Sequence, residues 1–191
     1  MKELQERILK EGKVLDGNVL KVDGFLNHRM DPALMHRIGE EFAKAFQYEN
    51  IDCILTIESS GIAPALCTGL AMGVPVIFAK KGKSANTDQN VYAAAVHSYT
   101  RNTDYEVTVS REYLLTVNRV LLIDDFLANG EAVNGLLNIC KQAGVTVTGI
   151  GIVIEKGFQP GGRKLREAGY KVTSLAKIGS MDHGIVFEES V

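Results

Sequence analysis

The chain has no tryptophan, four prolines and three cysteines among its 191 residues, and no large excess of charge of either sign. Cys53, Cys67 and Cys140 are odd in number, far apart and set among apolar neighbours. That excludes a disulfide framework and predicts buried thiols in a reducing compartment, hence a cytoplasmic protein. Lys and Arg number 21 against 23 Asp and Glu, a net charge of −2, so the basic surface that non-specific nucleic-acid binding requires is missing. No apolar run approaches the roughly 20 residues of a membrane span, and the opening "MKELQERILKEGK" lacks the apolar core of a signal peptide. Neither nucleic acid nor membrane is an expected partner. The four histidines lack metal-ligand spacing, and none is given a catalytic role. "KGKS" at 81–84 is no phosphate-binding P-loop, because Ile77 stands where the first glycine belongs. With no repeat, low-complexity tract or linker, residues 1–191 are expected to form a single domain.

What is present is regular. Leu4, Ile8 and Leu9 give residues 2–10 a helical face, and "VLDGNVLKV" (14–22) suggests two short strands about Asp16-Gly17. "DPALMHRIGEEFAKAF" is a helix with Asp31 as cap, Pro32 in its first turn, and Leu34, Ile38, Phe42 and Phe46 on one face. Apolar strands then alternate with helices. "DCILTIE" leads to "GIAPALCTGLAMG"; "VPVIFAKK" leads to a polar loop. "RVLLIDD" leads to "EAVNGLLNICKQAG", with Val133, Leu136, Leu137 and Cys140 on one face. "VTVTGIGIVIEK" leads through a short helix to "KVTSLAKI". Continuous apolar strands between helices imply a mostly parallel sheet flanked by helices, an α/β fold. The segment 81–90 reads as a polar loop before a β excursion, "VYAAAVHSY" and "YEVTVS".

Four strands finish in ionisable residues: Glu58, Lys80-Lys81, Asp124-Asp125 and Glu155-Lys156. In an open α/β sheet the carboxyl ends of the strands build the ligand crevice. Vicinal acids there can accept hydrogen bonds from the vicinal hydroxyls of a ribose and help hold Mg²⁺. The following "ANGEA" turns into a helix and so offers backbone N–H groups and a positive dipole end to a phosphate monoester. Asn129 could donate from its side chain or cap that helix.

The run "VLLIDDFLANGEA" (120–132) resembles the phosphoribosyl-diphosphate (PRPP) signature of the type I phosphoribosyltransferases. Ala128 and "IESSGIAPAL" resemble the adenine-specific members. "VLKVDGFLNHRMDP", "LTIESSGIAPAL", "IDDFLANGEA" and "GIVIEKGFQ", in that order, resemble the bacterial enzymes that act on xanthine. The resemblance implies a type I phosphoribosyltransferase fold with a small hood from about 1–30 and 155–191. It implies transfer of phosphoribosyl from PRPP to xanthine in purine salvage, with Mg²⁺ and a homodimer.

It further implies that Ala128, Asn129, Gly130, Glu131 and Ala132 take the 5′-phosphate and that Asp124 and Asp125 take the ribose. Glu58, Ser59, Ser60 and Gly61 would wrap the diphosphate, although spacing alone leaves an ordinary Gly-containing turn about as good. Lys80, Lys81 and Lys83 could neutralise the diphosphate, across a dimer interface or within one subunit. Leu20, Asn27 and Lys156 fall on the base; Phe158 could stack on it or be a buried aromatic. No general base stands out. Two rivals remain: another purine (guanine, hypoxanthine or adenine), and a PRPP-sensing transcriptional regulator. Residues 1–50 hold eight Lys and Arg against nine Asp and Glu with no helix-turn-helix pattern, which weighs against the regulator.

Overall fold

The structure is a computed structural model and describes residues 1–15, 18–82, 90–98 and 103–188. Helix α1 (Lys2–Glu11) precedes an antiparallel hairpin of β1 (Lys13–Leu15) and β2 (Val19–Lys21). The turn expected at Asp16-Gly17 lies outside the described residues. A π-type helical turn at Asp23–Asn27, which no sequence signal announced, leads to α2 (Pro32–Ala45). Here the local chemistry is as read. Asp31 Oδ1 accepts from the N–H groups of Ala33 and Leu34 at 3.1 and 3.2 Å, and Pro32 takes the first turn.

Next come β3 (Cys53–Ile57), α3 (Ile62–Met72), β4 (Val76–Lys81), β5 (Val91–Ser98), β6 (Thr103–Ser110) and the short α4 (Arg111–Leu114). They are followed by β7 (Arg119–Leu127), α5 (Glu131–Ala143), β8 (Thr146–Lys156), α6 (Pro160–Glu167), β9 (Val172–Ser180) and β10 (Val186–Phe187). One eight-stranded sheet runs β10-β9-β8-β7-β3-β4-β6-β5. Its five central strands are parallel, so β3, β4, β7 and β8 end along one edge. The β excursion is the antiparallel pair β5–β6, which joins β4 through Lys80 opposite Thr108.

The strands read as continuous apolar runs because both faces are covered. Along β7, Leu121 and Ile123 pack with Ile38 and Phe42 of α2, while Val120 and Leu122 face the opposite way into the cluster of Val133, Leu136 and Ile139 of α5. Two details depart from the sequence pattern. Leu9 points outward, 58% exposed, because α1 has a narrow buried stripe of Leu4 and Ile8. On α5 the buried face turns onto Ile139, leaving Leu137 half-buried. No helix among the described residues is long and apolar enough to cross a membrane.

Glu155 also departs from expectation. It does not reach the crevice but lies buried beneath α6, where Arg166 donates to both its oxygens at 2.7 Å and Ser174 Oγ donates to Oε2. Burial works to raise this carboxyl. The hydrogen bonds from Arg166 and Ser174 outweigh burial and hold it below the usual glutamate value. Removing one partner of a buried ion pair typically costs about 3–5 kcal/mol. Because Arg166 is partly exposed we expect the lower end for Arg166→Met, read as a lower urea midpoint with unchanged slope. A carboxyl depressed by folding stabilises above its unfolded value and loses that stabilisation as pH falls through its folded value. The deficit of Arg166→Met relative to wild type should therefore be full near pH 7 and shrink below about pH 4.5.

Candidate active site

Along the shared strand edge lies a cleft of about 420 Å³. Its floor is the end of β7. Asp124 is 4% exposed, and its Oδ1 accepts the backbone N–H of Asp125 at 3.0 Å. Burial above all, and then the Asp125 carboxylate beside it, pushes the Asp124 carboxyl well above the usual aspartate range. Burial also raises Asp125, and the Lys81 ammonium works against the rise in both. Two acids so placed attract a cation and hydroxyl donors.

The wall beyond them is the start of α5. Its N-cap is Gly130, in a left-handed conformation at φ 95°, and no side chain caps it. Asn129 therefore lines the cleft without capping, a correction to one of the two roles left open for it. The N–H groups of the first turn are left for whatever occupies the cleft. The loop is held from behind by α6: Gly161 N–H donates to Ala128 O at 3.0 Å. A Cβ on Gly161 would run into Ala128 O, Asn129 C and Gly130 N, so the approach requires a glycine. Ala128, Asn129, Gly130, Glu131 and Ala132 all line the cleft.

Opposite stand Glu58, Ser59, Ser60 and Gly61, between β3 and α3. The Glu58–Ser59 peptide is cis. Glu58 Oε1 accepts the backbone N–H of Lys81, which ties this loop to the end of β4. A Cβ on Gly61 would collide with Thr56 Oγ1 and lie 2.9 Å from Asp124 Oδ1, so the loop can sit against the acids only with glycine there. Lys81 lines the cleft, its Nζ 5.2 Å from the centre of the Tyr105 ring. Lys80 does not line this cleft; it lines a second one with Phe78 and Tyr113, which Lys81 also borders. Lys83 lies outside the described residues.

None of the residues expected at the base lines this cleft. Lys156 Nζ donates to Asn18 O at 2.8 Å, tying the end of β8 to the N-terminal hairpin, and lies 6.0 Å from the ring centre of Phe126, a cleft residue. Partial burial lowers its ammonium below the usual lysine value. Phe158 is 39% exposed. Leu20 is buried against the core. Asn27 has a buried Oδ1 with no hydrogen-bond partner among the described residues.

Among the cleft residues that escaped the sequence reading, Phe126, His97 and Tyr105 stand out beside the apolar Ile57, Val96, Leu127 and Val133. Phe126 follows the acids directly, and proximity to the motif could have marked it. His97, whose Nδ1 is 2.6 Å from Asp104 Oδ1, and Tyr105 come from the β5–β6 pair. Strand alternation gave no sign that this pair folds back over the strand ends. Among the described residues no three His, Cys, Asp or Glu side chains are grouped to hold a metal.

Residues 30–187 match the family model described as Phosphoribosyl transferase domain. The chain is 59% identical over 186 residues to "Xanthine phosphoribosyltransferase" of Bacillus cereus (strain ATCC 10987 / NRS 248), covering 97% of this chain and 94% of the relative. It is 58% identical, over the same shares, to the protein of that name from Bacillus cytotoxicus. Among solved structures it resembles adenine phosphoribosyltransferase of Giardia lamblia in complex with 9-deazaadenine, with a TM-score of 0.74 and 17% identity over 93% of this chain and 98% of that one. The Saccharomyces cerevisiae adenine enzyme gives 0.73 at 18% identity, over 92% and 99%. At such identities the structures establish the fold, and the curated relatives and the domain match establish the rest: this chain belongs to the phosphoribosyltransferase family, of the type I fold.

Proposed function

We infer that the protein is a xanthine phosphoribosyltransferase, joining xanthine to PRPP to give xanthosine 5′-monophosphate and diphosphate in purine salvage. The observation that carries this is a single cleft in which an uncapped helix start faces two adjacent acids, Asp124 buried and Asp125 half-buried. The α5 N–H groups and the loop Ala128–Ala132 suit the 5′-phosphate, and Asp124 and Asp125 suit the ribose hydroxyls. Ser59, Ser60 and Gly61 suit the diphosphate through backbone donors, with Lys81 as its countercharge. Glu58 serves by holding this loop to β4.

In the reaction a purine nitrogen bonds to C1 of the ribose as the C1–O bond to diphosphate breaks; the diphosphate leaves with the electron pair, and the purine loses its proton. Positive charge develops on the sugar, so the chain's contribution is to hold three charged pieces in line and exclude water. A closing loop within 81–103 would serve this, but much of it lies outside the described residues. Xanthine is acidic enough to need no strong base. Mg²⁺ fits the acidic end of the cleft. Asp124 and Asp125 would hold it along with oxygens of the substrate, since two carboxylates alone make an incomplete set. Bound there, it would neutralise charge on the departing diphosphate.

Lys156, together with Asn27, Leu20 and Phe158, forms the base-recognition group of this reading, under a hood from about 1–30 and 155–191. An ammonium favours a purine rich in carbonyl oxygens over one with an exocyclic amine. The second subunit of a homodimer would cover the apolar side chains left outside: Leu66 and Leu70 one turn apart on α3, 61% and 75% exposed, with Phe78 and Tyr113 beyond. Lys80 opens into the cleft beside Phe78 and Tyr113, which suits a lysine reaching a partner's diphosphate. The three free thiols suit a cytoplasmic setting: burial pushes Cys53 to about 11 and Cys140 to about 12, which keeps both protonated and inert.

Turnover measured purine by purine with PRPP and Mg²⁺ tests the reading; preference for adenine would remove Lys156 from the base site. Lys156→Ala should lower kcat/KM for xanthine about 10- to 100-fold, the loss of one charged hydrogen bond, while PRPP binding measured by calorimetry stays near wild type. Gly61→Ala should raise the KM for PRPP at least about tenfold with every purine alike, because its methyl displaces Asp124 or the loop. Leu70→Glu should shift the sedimentation coefficient from dimer to monomer.

A further inference from the structure

Thr56 is fully buried near the end of β3, and its hydroxyl has no hydrogen-bond partner among the described residues. Its backbone is engaged in the sheet, opposite Phe78 of β4. For the fold alone this is a poor choice of residue. Valine has nearly the same shape and would leave no buried hydroxyl unsatisfied. The place of the hydroxyl suggests what it is for. Thr56 Oγ1 and Asp124 Oδ1 converge on Gly61, each under 3.0 Å from the position its Cβ would take. Asp124 Oδ1 accepts one hydrogen bond, from Asp125 N–H at 3.0 Å, and a carboxylate oxygen has a second lone pair.

We propose that Thr56 is a positioning residue for sugar recognition: on binding of PRPP its hydroxyl donates to Asp124 Oδ1, so that the other carboxylate oxygen is presented to the ribose. The hydroxyl is thus in reserve beneath Gly61, a few ångströms from the Asp124 carboxylate. Gly61 makes this possible, since any side chain there would separate the two oxygens. The inference rests on the reading of this cleft as the PRPP site, and it adds a side chain that touches no substrate.

Thr56→Val and Thr56→Ser, in the full-length protein, separate the possibilities. We expect Thr56→Val to raise the KM for PRPP about tenfold, the loss of one hydrogen bond to a charged group, with kcat changed less than about twofold. Its melting temperature should hold or rise, because an unsatisfied hydroxyl has gone. Thr56→Ser should restore the KM to within about threefold. In an Asp124→Asn background, Thr56→Val should add little, since its acceptor is already altered. An unchanged KM for PRPP would overturn the proposal. So would equal losses for xanthine and PRPP together with a lower melting temperature, or an effect fully additive with Asp124→Asn. If Thr56→Val does not fold, Thr56→Cys, a weak donor in the same place, carries the same comparison. Wild-type protein inactive on PRPP with every purine would instead sink the functional reading, a result distinct from failure of the Thr56 role.

Discussion

Two carboxylates side by side at the end of a buried strand repel each other and lose their water, and most of the site can be read as a response to that. Asp124 and Asp125 are tolerable because β7 lies between two parallel neighbours, β3 and β8, so that its end opens into a cleft rather than into core. Lys81 offsets part of the charge, and one Asp124 oxygen accepts a backbone N–H. The remaining demand for hydroxyl donors and a cation is left to the ligand. A site that is electrostatically unfinished when empty gives its substrate a binding energy that a finished one could not.

The parts around the acids are held by close backbone contacts. Gly161 lets α6 press against the Ala128–Gly130 loop, and Gly61 lets the Glu58–Gly61 loop rest on Asp124. Behind them the Glu155–Arg166–Ser174 cluster fastens α6 and β9 to β8. Glu155 sits one residue before Lys156, so the buried anchor and the lysine proposed for the base occupy successive positions of one strand. The Lys156–Asn18 hydrogen bond carries the link on to the N-terminal hairpin.

The division of labour follows from the placement. Residues suited to the phosphates and sugar lie in the central cleft, on the parallel strands and the α5 start. Those suited to the base lie to one side, on β8 and the N-terminal segment. Structures with the same fold at 17–18% identity are adenine enzymes. The fold by itself therefore does not fix the base, and on the reading proposed above that choice falls to side chains outside the central cleft such as Lys156.

Sequence alone determined the α/β class, the parallel order implied by continuous apolar strands, the capped start of α2, and the acid–loop–helix motif. Each of these rests on neighbours along the chain, where spacing and residue type speak directly. Tertiary structure alone decided which strand-end charges meet. Lys81 lines the cleft and Lys80 does not, because adjacent strand residues face opposite sides, and only the folded sheet says which is which. Glu155 became a buried anchor because α6 brings Arg166 over it from eleven residues away. His97, Tyr105 and the reserve hydroxyl of Thr56 were invisible beforehand, since their importance comes from elements distant in sequence that happen to close over, or converge on, the same few ångströms.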